Sequence, residues 1–332
     1  MEDIWTIRAA LAWTQGYLER KGDENPRLST QWLLSAATGL SRIDLYTHFD
    51  QPLSREEREV LRGFVARRGG GEPLQYITGE VGFRYITVKV KPGVLIPRPE
   101  TEVLVGEGLS ALASLSPESP TISRSGEREM VEALDAVEEG SGKVRVSESE
   151  PASTSDPLHY LVADLCTGSG CIACSIAYEN PSAQVIATDI APDAIALSRK
   201  NIEALGLSDR VEVIECDLGV GIDSRLMGDF DLVISNPPYV PTAIVKTIPD
   251  EVKKFEPALA LDGGTDGLDF FRRLLAFAHL ALKPGATLAV ELHEEGMIHA
   301  VDLAEEAGFT EVRIVADLAN KPRVLVAKTR EG

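Results

Sequence analysis

No run of apolar residues in this chain approaches the roughly 20 needed to cross a bilayer as a helix, so a helical membrane span is not expected. Met1 to Lys21 carries Glu2, Asp3 and Glu19 and has no uninterrupted apolar core, unlike a secretory or transit peptide, which makes the cytoplasm the expected location. Positive charge is also scarce, with 33 Lys and Arg against 52 Asp and Glu and a formal net charge of −19. A protein that holds duplex DNA by phosphate neutralisation needs clustered Lys and Arg, so that class is disfavoured, while a basic partner stays open. Cysteine is limited to four residues, and Cys166, Cys171 and Cys174 have the C-x4-C-x2-C spacing of plant-type iron–sulfur proteins. Their surroundings speak against a cluster. Cys166 ends an apolar strand-like run, and Cys-Ile-Ala-Cys-Ser-Ile-Ala reads as a packed helix in which cysteine is a small hydrophobe. No metal site is expected, and a disulfide is disfavoured in a reducing compartment.

What is present is ordinary for a globular protein: 332 residues, 44% apolar and 26% charged, enough for one large core and an accessory domain. From Ile4 to about Arg68 apolar residues recur at three- and four-residue steps, as in Leu28-Trp32-Leu33-Ala36-Ala37 and Val60-Leu61-Phe64-Val65. Ser54 followed by Glu57 is a capping-box signature. Residues 1–70 therefore read as a small helical bundle with no catalytic cluster, a packing or substrate-docking module. Gly69-Gly70-Gly71 breaks the pattern, and Leu74 to Val90 is rich in strand formers, which points to a β-hairpin linker over 71–95. Residues 96–332 form the remaining domain. It opens on Pro97-Arg98-Pro99-Glu100, an extended stretch leading into a helix from Thr101 through Leu112. Arg98 and Glu100 are either a solvated charge pair or functional groups on a stiff loop. Ser114 to Pro157 is different in kind, with 10 acidic against 4 basic residues and almost no aromatics. Such a segment buries too little apolar surface to offset its ordering entropy, so a disordered acidic insertion is expected at 114–157, with a short helix at Glu127 to Glu138.

From Tyr160 strands alternate with helices. The expected strands are Tyr160-Leu165, Gln184-Asp189, Val211-Glu215, Asp231-Ser235, Thr287-Leu292, Thr310-Val315 and Arg323-Lys328. Helices near Ile172-Tyr178, Pro192-Leu205, Phe270-Leu282 and Met297-Ala307 supply right-handed crossovers, so the sheet should be mostly parallel. The last two strands have no helix between them and should form an antiparallel edge pair. The fold class is thus α/β, a seven-stranded Rossmann-like sheet behind a helical bundle and a hairpin.

Two turns carry the chemistry. Asp164-Leu165-Cys166-Thr167-Gly168-Ser169-Gly170 follows the first strand and opens a helix, where glycines allow close ligand approach and free amides await a partner. The next strand ends in Asp189, about 20 residues beyond Gly168, the spacing at which a carboxylate accepts ribose hydroxyls. NAD and S-adenosylmethionine both present a ribose. Two features favour the latter: Ile172-Ala173 stands where a third glycine of G-x-G-x-x-G would fall, and Asp217, with Leu218 beside it, follows the third strand, where it is either an acceptor for an adenine amine or part of a solvated loop. The second turn is Asp231-Leu232-Val233-Ile234-Ser235-Asn236-Pro237-Pro238-Tyr239. Consecutive prolines stop the strand at Asn236, at the carboxyl end of the sheet where ligands bind. An Asn carbonyl, backbone carbonyls and the flat ring of Tyr239 suit a planar amide or a nucleobase amine; a plain proline-rich loop is the alternative.

Asn236-Pro237-Pro238-Tyr239 together with Asp-Leu-x-Thr-Gly-Ser-Gly resembles the amino-methyltransferases. Gly71-Glu72-Pro73-Leu74-Gln75-Tyr76-Ile77-Thr78-Gly79, Leu95-Ile96-Pro97-Arg98-Pro99-Glu100-Thr101-Glu102 and Phe255-Glu256-Pro257 narrow the resemblance to the peptide chain release factor glutamine N5-methyltransferase family. The similarity runs along the chain apart from 114–157. It implies methyl transfer from S-adenosylmethionine to the glutamine amide of a Gly-Gly-Gln loop in class-1 release factors, by a cytoplasmic monomer that binds neither DNA nor membrane. It further implies that Cys166, Thr167, Gly168, Ser169, Gly170, Asp189, Asp217, Leu218 and Asn236 hold the cofactor. Asn236, Pro237 and Tyr239 are then the catalytic set, and Asn236, Pro237, Pro238, Tyr239, Arg98 and Glu100 meet the substrate. In this picture Asn236 and the Pro237 carbonyl each accept one amide N–H, while Tyr239 and Pro238 wall the glutamine stem. Cys166 and His293 depart from the pattern, both standing where glycine is commoner. Alternatives are a glutamine methyltransferase of a ribosomal protein, an adenine-N6 nucleic-acid methyltransferase with the same tetrapeptide, and a non-catalytic module of the translation machinery.

Overall fold

A computed structural model of the chain describes residues 5–115, 159–247 and 254–331. The acidic stretch expected to be disordered, with its short helix, lies outside the described residues apart from Ser114 and Leu115.

The amino-terminal part contains α1 (Ile7–Arg20), α2 (Pro26–Thr38), α3 (Asp44–Thr47) and α4 (Arg55–Gly69). Ile7, Leu18, Leu33, Leu34, Leu45, Leu61 and Val65 form its own apolar cluster. The capping box at the head of α4 is formed in both directions: Ser54 Oγ accepts from Glu57 N at 3.1 Å and Ser54 N donates to Glu57 Oε2 at 2.6 Å. The stretch from Leu74 begins not as a strand but as a short helix, α5 (Leu74–Thr78), which ends at Gly79 with φ +80°. Only then comes the hairpin of β1 (Glu80–Phe83) and β2 (Ile86–Lys89). Tyr76 and Ile77 decide this: both are buried, and helical spacing lets the pair face inward together where alternation would expose one. The hairpin packs onto the larger domain, with Phe83, Ile86 and Val88 joining its apolar cluster. At its tip, Arg84 grips Glu179 through two 2.6 Å hydrogen bonds.

The larger domain holds α6 (Thr101–Ser114), β3 (Tyr160–Leu165), α7 (Cys171–Glu179), β4 (Ala183–Asp189), α8 (Pro192–Ala204), β5 (Val211–Glu215), β6 (Phe230–Ser235), α9 (Thr242–Val245), α10 (Asp269–Ala281), β7 (Leu282–Glu291), α11 (Met297–Glu306), β8 (Thr310–Ala316) and β9 (Pro322–Lys328). The strand order is β5-β4-β3-β6-β7-β9-β8. Strands β3 to β7 pair in parallel, and β9 runs antiparallel to both β7 and β8. The seven expected strands are all found. β7 begins five residues earlier than its apolar run, because Pro284 and Gly285 disguise the start and the pairing with β6 is irregular there.

This order reverses direction between β3 and β6, creating the switch point where open α/β sheets bind ligands. The two strands end level, with Leu165 opposite Ser235, and Ser235 Oγ donates to the Leu165 carbonyl at 2.6 Å. Every residue of β6 is buried. Helix α6 lies hard against it, since a Cβ on Gly108 would stand 3.0 Å from Leu232 Cδ2 and 3.1 Å from Ile234 Cδ1. That closeness brings Thr101, at the head of α6, to the end of β6.

Candidate active site

A cleft of about 960 Å³, counting the part open to solvent, lies over the ends of β3, β4 and β6. Its floor is the turn from Cys166 to Ser169, with Asp189, Asp217, Leu218 and Asn236 around it; Arg98, Pro238, Pro257, Leu259 and Phe270 stand at its sides. Gly170, Glu100, Pro237 and Tyr239 do not line it. Gly170 instead caps α7 at φ +81°, where a Cβ would stand 3.0 Å from Ser198 Cβ. Glu100 directly precedes α6.

The turn after β3 is shaped from below. Asp164 is fully buried; its Oδ2 accepts from Thr167 Oγ1 at 2.6 Å and from Ala173 N at 3.1 Å, while Oδ1 has no partner. Burial pushes its carboxyl up to about 7 from an ordinary 3.8, against the pull of those two donors. At Cys166 the backbone takes φ +62°, the left-handed region that disfavours a side chain. This is the physical sense of the glycine expected at that position. Burial, with Asp189 and Asp164 nearby, also pushes the Cys166 thiol up, away from a nucleophilic thiolate.

Asp189 ends β4 as expected. Its Oδ2 accepts from Gly168 N at 2.9 Å and its Oδ1 from Ala191 N at 2.9 Å, which ties the glycine turn to the neighbouring strand. Burial raises its carboxyl above the usual range. Each oxygen keeps a lone pair for a ligand hydroxyl. Asp217, by contrast, is half-exposed and pairs with Arg273 Nη2 at 2.6 Å, a bond that solvent screens to little net value.

Asn236 sits at the end of β6, and its Nδ2 donates to Thr101 Oγ1 at 3.0 Å. Pro237 and Pro238, next in the chain, are both buried, and of the two only Pro238 lines the cleft. Tyr239 does not stand beside the cleft as a wall: its hydroxyl turns away and donates to Glu291 Oε1 at 2.9 Å, and Pro238, Pro257 and Leu259 line the cleft instead. Arg98 does reach the cleft, but its charge is engaged. Its Nη2 donates to both oxygens of Glu256, at 2.8 and 2.7 Å, and the Glu256 side chain is 1% exposed. The arginine and the Phe255-Glu256-Pro257 segment, far apart in sequence, are thus joined by an ion pair whose carboxylate is buried, next to Pro257 in the cleft lining.

Several site residues gave no individual signal. Thr101 and Glu291 touch the tetrapeptide only through the fold. Gly263 and Gly267 back it so closely that a Cβ would fall 2.7 Å from Tyr239 Cα and 2.4 Å from Tyr239 O. The dense glycines of Asp262-Gly263-Gly264-Thr265-Asp266-Gly267 were the available clue. Ile190, Leu259 and Phe270 are isolated apolar residues in loops or at a helix start, and nothing in spacing marks them.

The family model of the PrmC N-terminal domain matches residues 9–79, and that of the methyltransferase small domain matches residues 153–253. A protein named release factor glutamine methyltransferase from Geobacter sulfurreducens is 42% identical over 292 residues, covering 87% of this chain and 85% of its own. One of the same name from Rhodopirellula baltica is 37% identical over 324 residues, covering 97% and 95%. A third, from Chlorobaculum tepidum, is 32% identical over 317 residues, covering 95% of each chain.

Two outcomes follow for the β3 turn. Relief of the left-handed backbone should make Cys166→Gly about 1 kcal/mol more stable than Cys166→Ala, the reverse of the usual order, in denaturant unfolding. For Asp164 the folded state keeps its proton up to about pH 7, while the unfolded chain releases it near 3.8. Its contribution to stability is therefore complete below the unfolded value and is lost as pH rises through the folded one. Asp164→Asn keeps the acceptor and removes the titration, so its Tm should decline less than that of the parent between about pH 4 and about pH 8.

Proposed function

Since the chain belongs to the release factor glutamine methyltransferase family, we infer that it uses S-adenosylmethionine to methylate the side-chain amide nitrogen of the glutamine in the Gly-Gly-Gln loop of class-1 peptide chain release factors. The observation that supports this most is the position of Asn236. It shares one cleft with the glycine turn and with Asp189, at the switch point of the sheet.

The cleft suits the cofactor by its own chemistry. The free acceptor positions on Asp189 match a ribose diol, Gly168 at φ +56° leaves open space where a side chain would stand, and Ile190, Leu218 and Phe270 offer apolar surface to a flat base. S-adenosylmethionine supplies a methyl group on a positively charged sulfur, and the chain's own residues do the rest. An amide nitrogen is a poor nucleophile because its lone pair is delocalised into the carbonyl. Asn236 Oδ1 accepts one N–H of the glutamine amide and aims its nitrogen, and such positioning can be worth several kcal/mol of barrier. Pro238, Pro257 and Leu259 keep water from the glutamine stem. The alkylated amide then gives up its proton to water, so no side-chain base is required.

We place the docking surface for the release factor on the amino-terminal bundle. Trp13, half-exposed, stacks on Tyr17 with ring centroids 5.4 Å apart, beside Arg58 and Arg62. On this reading the protein works in the cytoplasm as a monomer without DNA; among the described residues no helix is long and apolar enough to cross a membrane, and the net charge is −19.

Asn236→Ala should abolish transfer and leave S-adenosylmethionine binding nearly intact; equal loss of both would defeat its assigned role. Incubation with labelled S-adenosylmethionine and, in turn, a release factor, ribosomal protein and DNA should put a single methyl on the Gly-Gly-Gln glutamine, located by mass spectrometry. Label on either of the others would overturn the reading. A Trp13→Ala/Arg62→Glu double variant should raise KM for the release factor several-fold while KM for the cofactor stays put; an unchanged protein KM removes the bundle from the docking surface.

A further inference from the structure

Among the described residues that line the cleft, Arg98 is the one cationic side chain, and Asp189 and Asp217 are the anionic ones. Its position is fixed at both ends. Pro97 and Pro99 flank it, its carbonyl accepts from Thr101 N at 3.1 Å, and at the far end Nη2 donates to both oxygens of Glu256. The Glu256 side chain is 1% exposed and does not line the cleft, whereas the Arg98 side chain is 35% exposed and does. Only one of the three guanidinium nitrogens is used in this way. Nε and Nη1 make no hydrogen bond among the described residues, and neither is sealed in the core without a partner. A planar guanidinium gripped through one nitrogen keeps its remaining N–H groups in a set plane, ready for a second acceptor.

S-adenosylmethionine carries one negative group, the carboxylate of its methionine part. Its ribose and base are uncharged, and its amine and sulfur are positive. The two aspartates in the lining repel that carboxylate, and Arg98 is the side chain there that attracts it. We propose that Arg98 is a cofactor-binding residue whose free N–H groups donate to the methionine carboxylate, and that Glu256 is the positioning residue that aims it. The arginine then bridges two carboxylates, one from the protein and one from the cofactor, with a fixed geometry that the point charge of a lysine lacks. This moves Arg98 from the substrate, where the family resemblance places it, to the cofactor. The proposal rests on the methyltransferase reading above and names the group that recognises the amino-acid end of its cofactor. The head of α7 is the competing receptor, because Cys171 and Ile172 line the same cleft and a helix start has free amides.

The test measures equilibrium binding to the full-length protein by calorimetry, with two probes. One is S-adenosylhomocysteine; the other is S-adenosyl-3-thiopropylamine, the same molecule without its carboxylate. The parent should bind the first about 10- to 100-fold more tightly, the scale of a charge-assisted hydrogen bond. In Arg98→Ala that preference should fall to near parity, because S-adenosylhomocysteine weakens while the amine probe keeps its parent affinity, which also shows that the cleft is folded. Glu256→Gln leaves the arginine its charge but loosens its aim, and should weaken S-adenosylhomocysteine several-fold without touching the amine probe. Arg98→Ala leaves Glu256 buried without its cation; if that prevents folding, Arg98→Gln/Glu256→Gln, an uncharged hydrogen-bonded pair, should show the same loss of preference. A preference that survives in the Arg98 variants would assign the carboxylate to the head of α7 and overturn the proposal, as would equal weakening of both probes. Parent-like binding in Glu256→Gln would overturn the role of Glu256. A parent that binds neither probe would strike the cofactor reading along with the proposal. A parent that binds both as expected and leaves release factors unmethylated would instead strike the substrate reading and leave the role of Arg98 standing.

Discussion

Pro237 and Pro238 have no backbone N–H to give, so β6 cannot continue past Ser235, and everything chemical in the molecule is arranged around that stop. Because β6 is buried on both faces, with Leu232 and Ile234 in one apolar cluster and Phe230 and Val233 in the other, its end is fixed by core packing. Asn236 thereby leaves the sheet at a defined height, level with the glycine turn after β3. The sheet order turns this into a site. Reversal between β3 and β6 opens a gap at their carboxyl ends, and the two turns face each other across it.

Holding such a turn requires polar groups where water cannot help, and the protein places three carboxylates there. Asp164 shapes the glycine turn, Glu291 receives Tyr239, and Glu256 clasps Arg98. Each costs desolvation energy, visible in the upward shifts of Asp164 and Glu291. A hydrophobic substitute of similar size would pack as well but would aim nothing, and aim is what transfer to an amide nitrogen demands. The same economy explains the wiring of the linker. Tyr76 donates to the Val94 carbonyl at 2.7 Å, and Val94 lines the cleft, so α5 supports the cleft wall.

Much of this was legible in the chain itself. Parallel strands announced themselves as short branched apolar runs, the capping box as Ser54 and Glu57, and the strand stop as two prolines. Legibility failed where long-range packing overrode local character. Leu74–Thr78 looks like strand and forms a helix because Tyr76 and Ile77 both turn inward. β7 starts behind a proline and a glycine because β6 holds it. Tyr239 looked like a wall of the cleft, yet its hydroxyl is drawn to a carboxylate more than 50 residues away along the chain.

By itself the sequence determined the order of strands and helices, the place where β6 must end, and the two residues, Asn236 and Asp189, on which the proposed ligand recognition rests. These are local facts, set by periodicity, by proline and glycine stereochemistry, and by the few side chains able to accept from an amide or a diol. Only the tertiary structure decided which groups surround them. That Thr101 meets Asn236 depends on Gly108 letting α6 lie against β6; that Glu256 occupies Arg98 depends on two loops closing over one cleft. Contacts between residues so distant in the chain leave no periodic trace, because they are fixed by how close two packed elements can come.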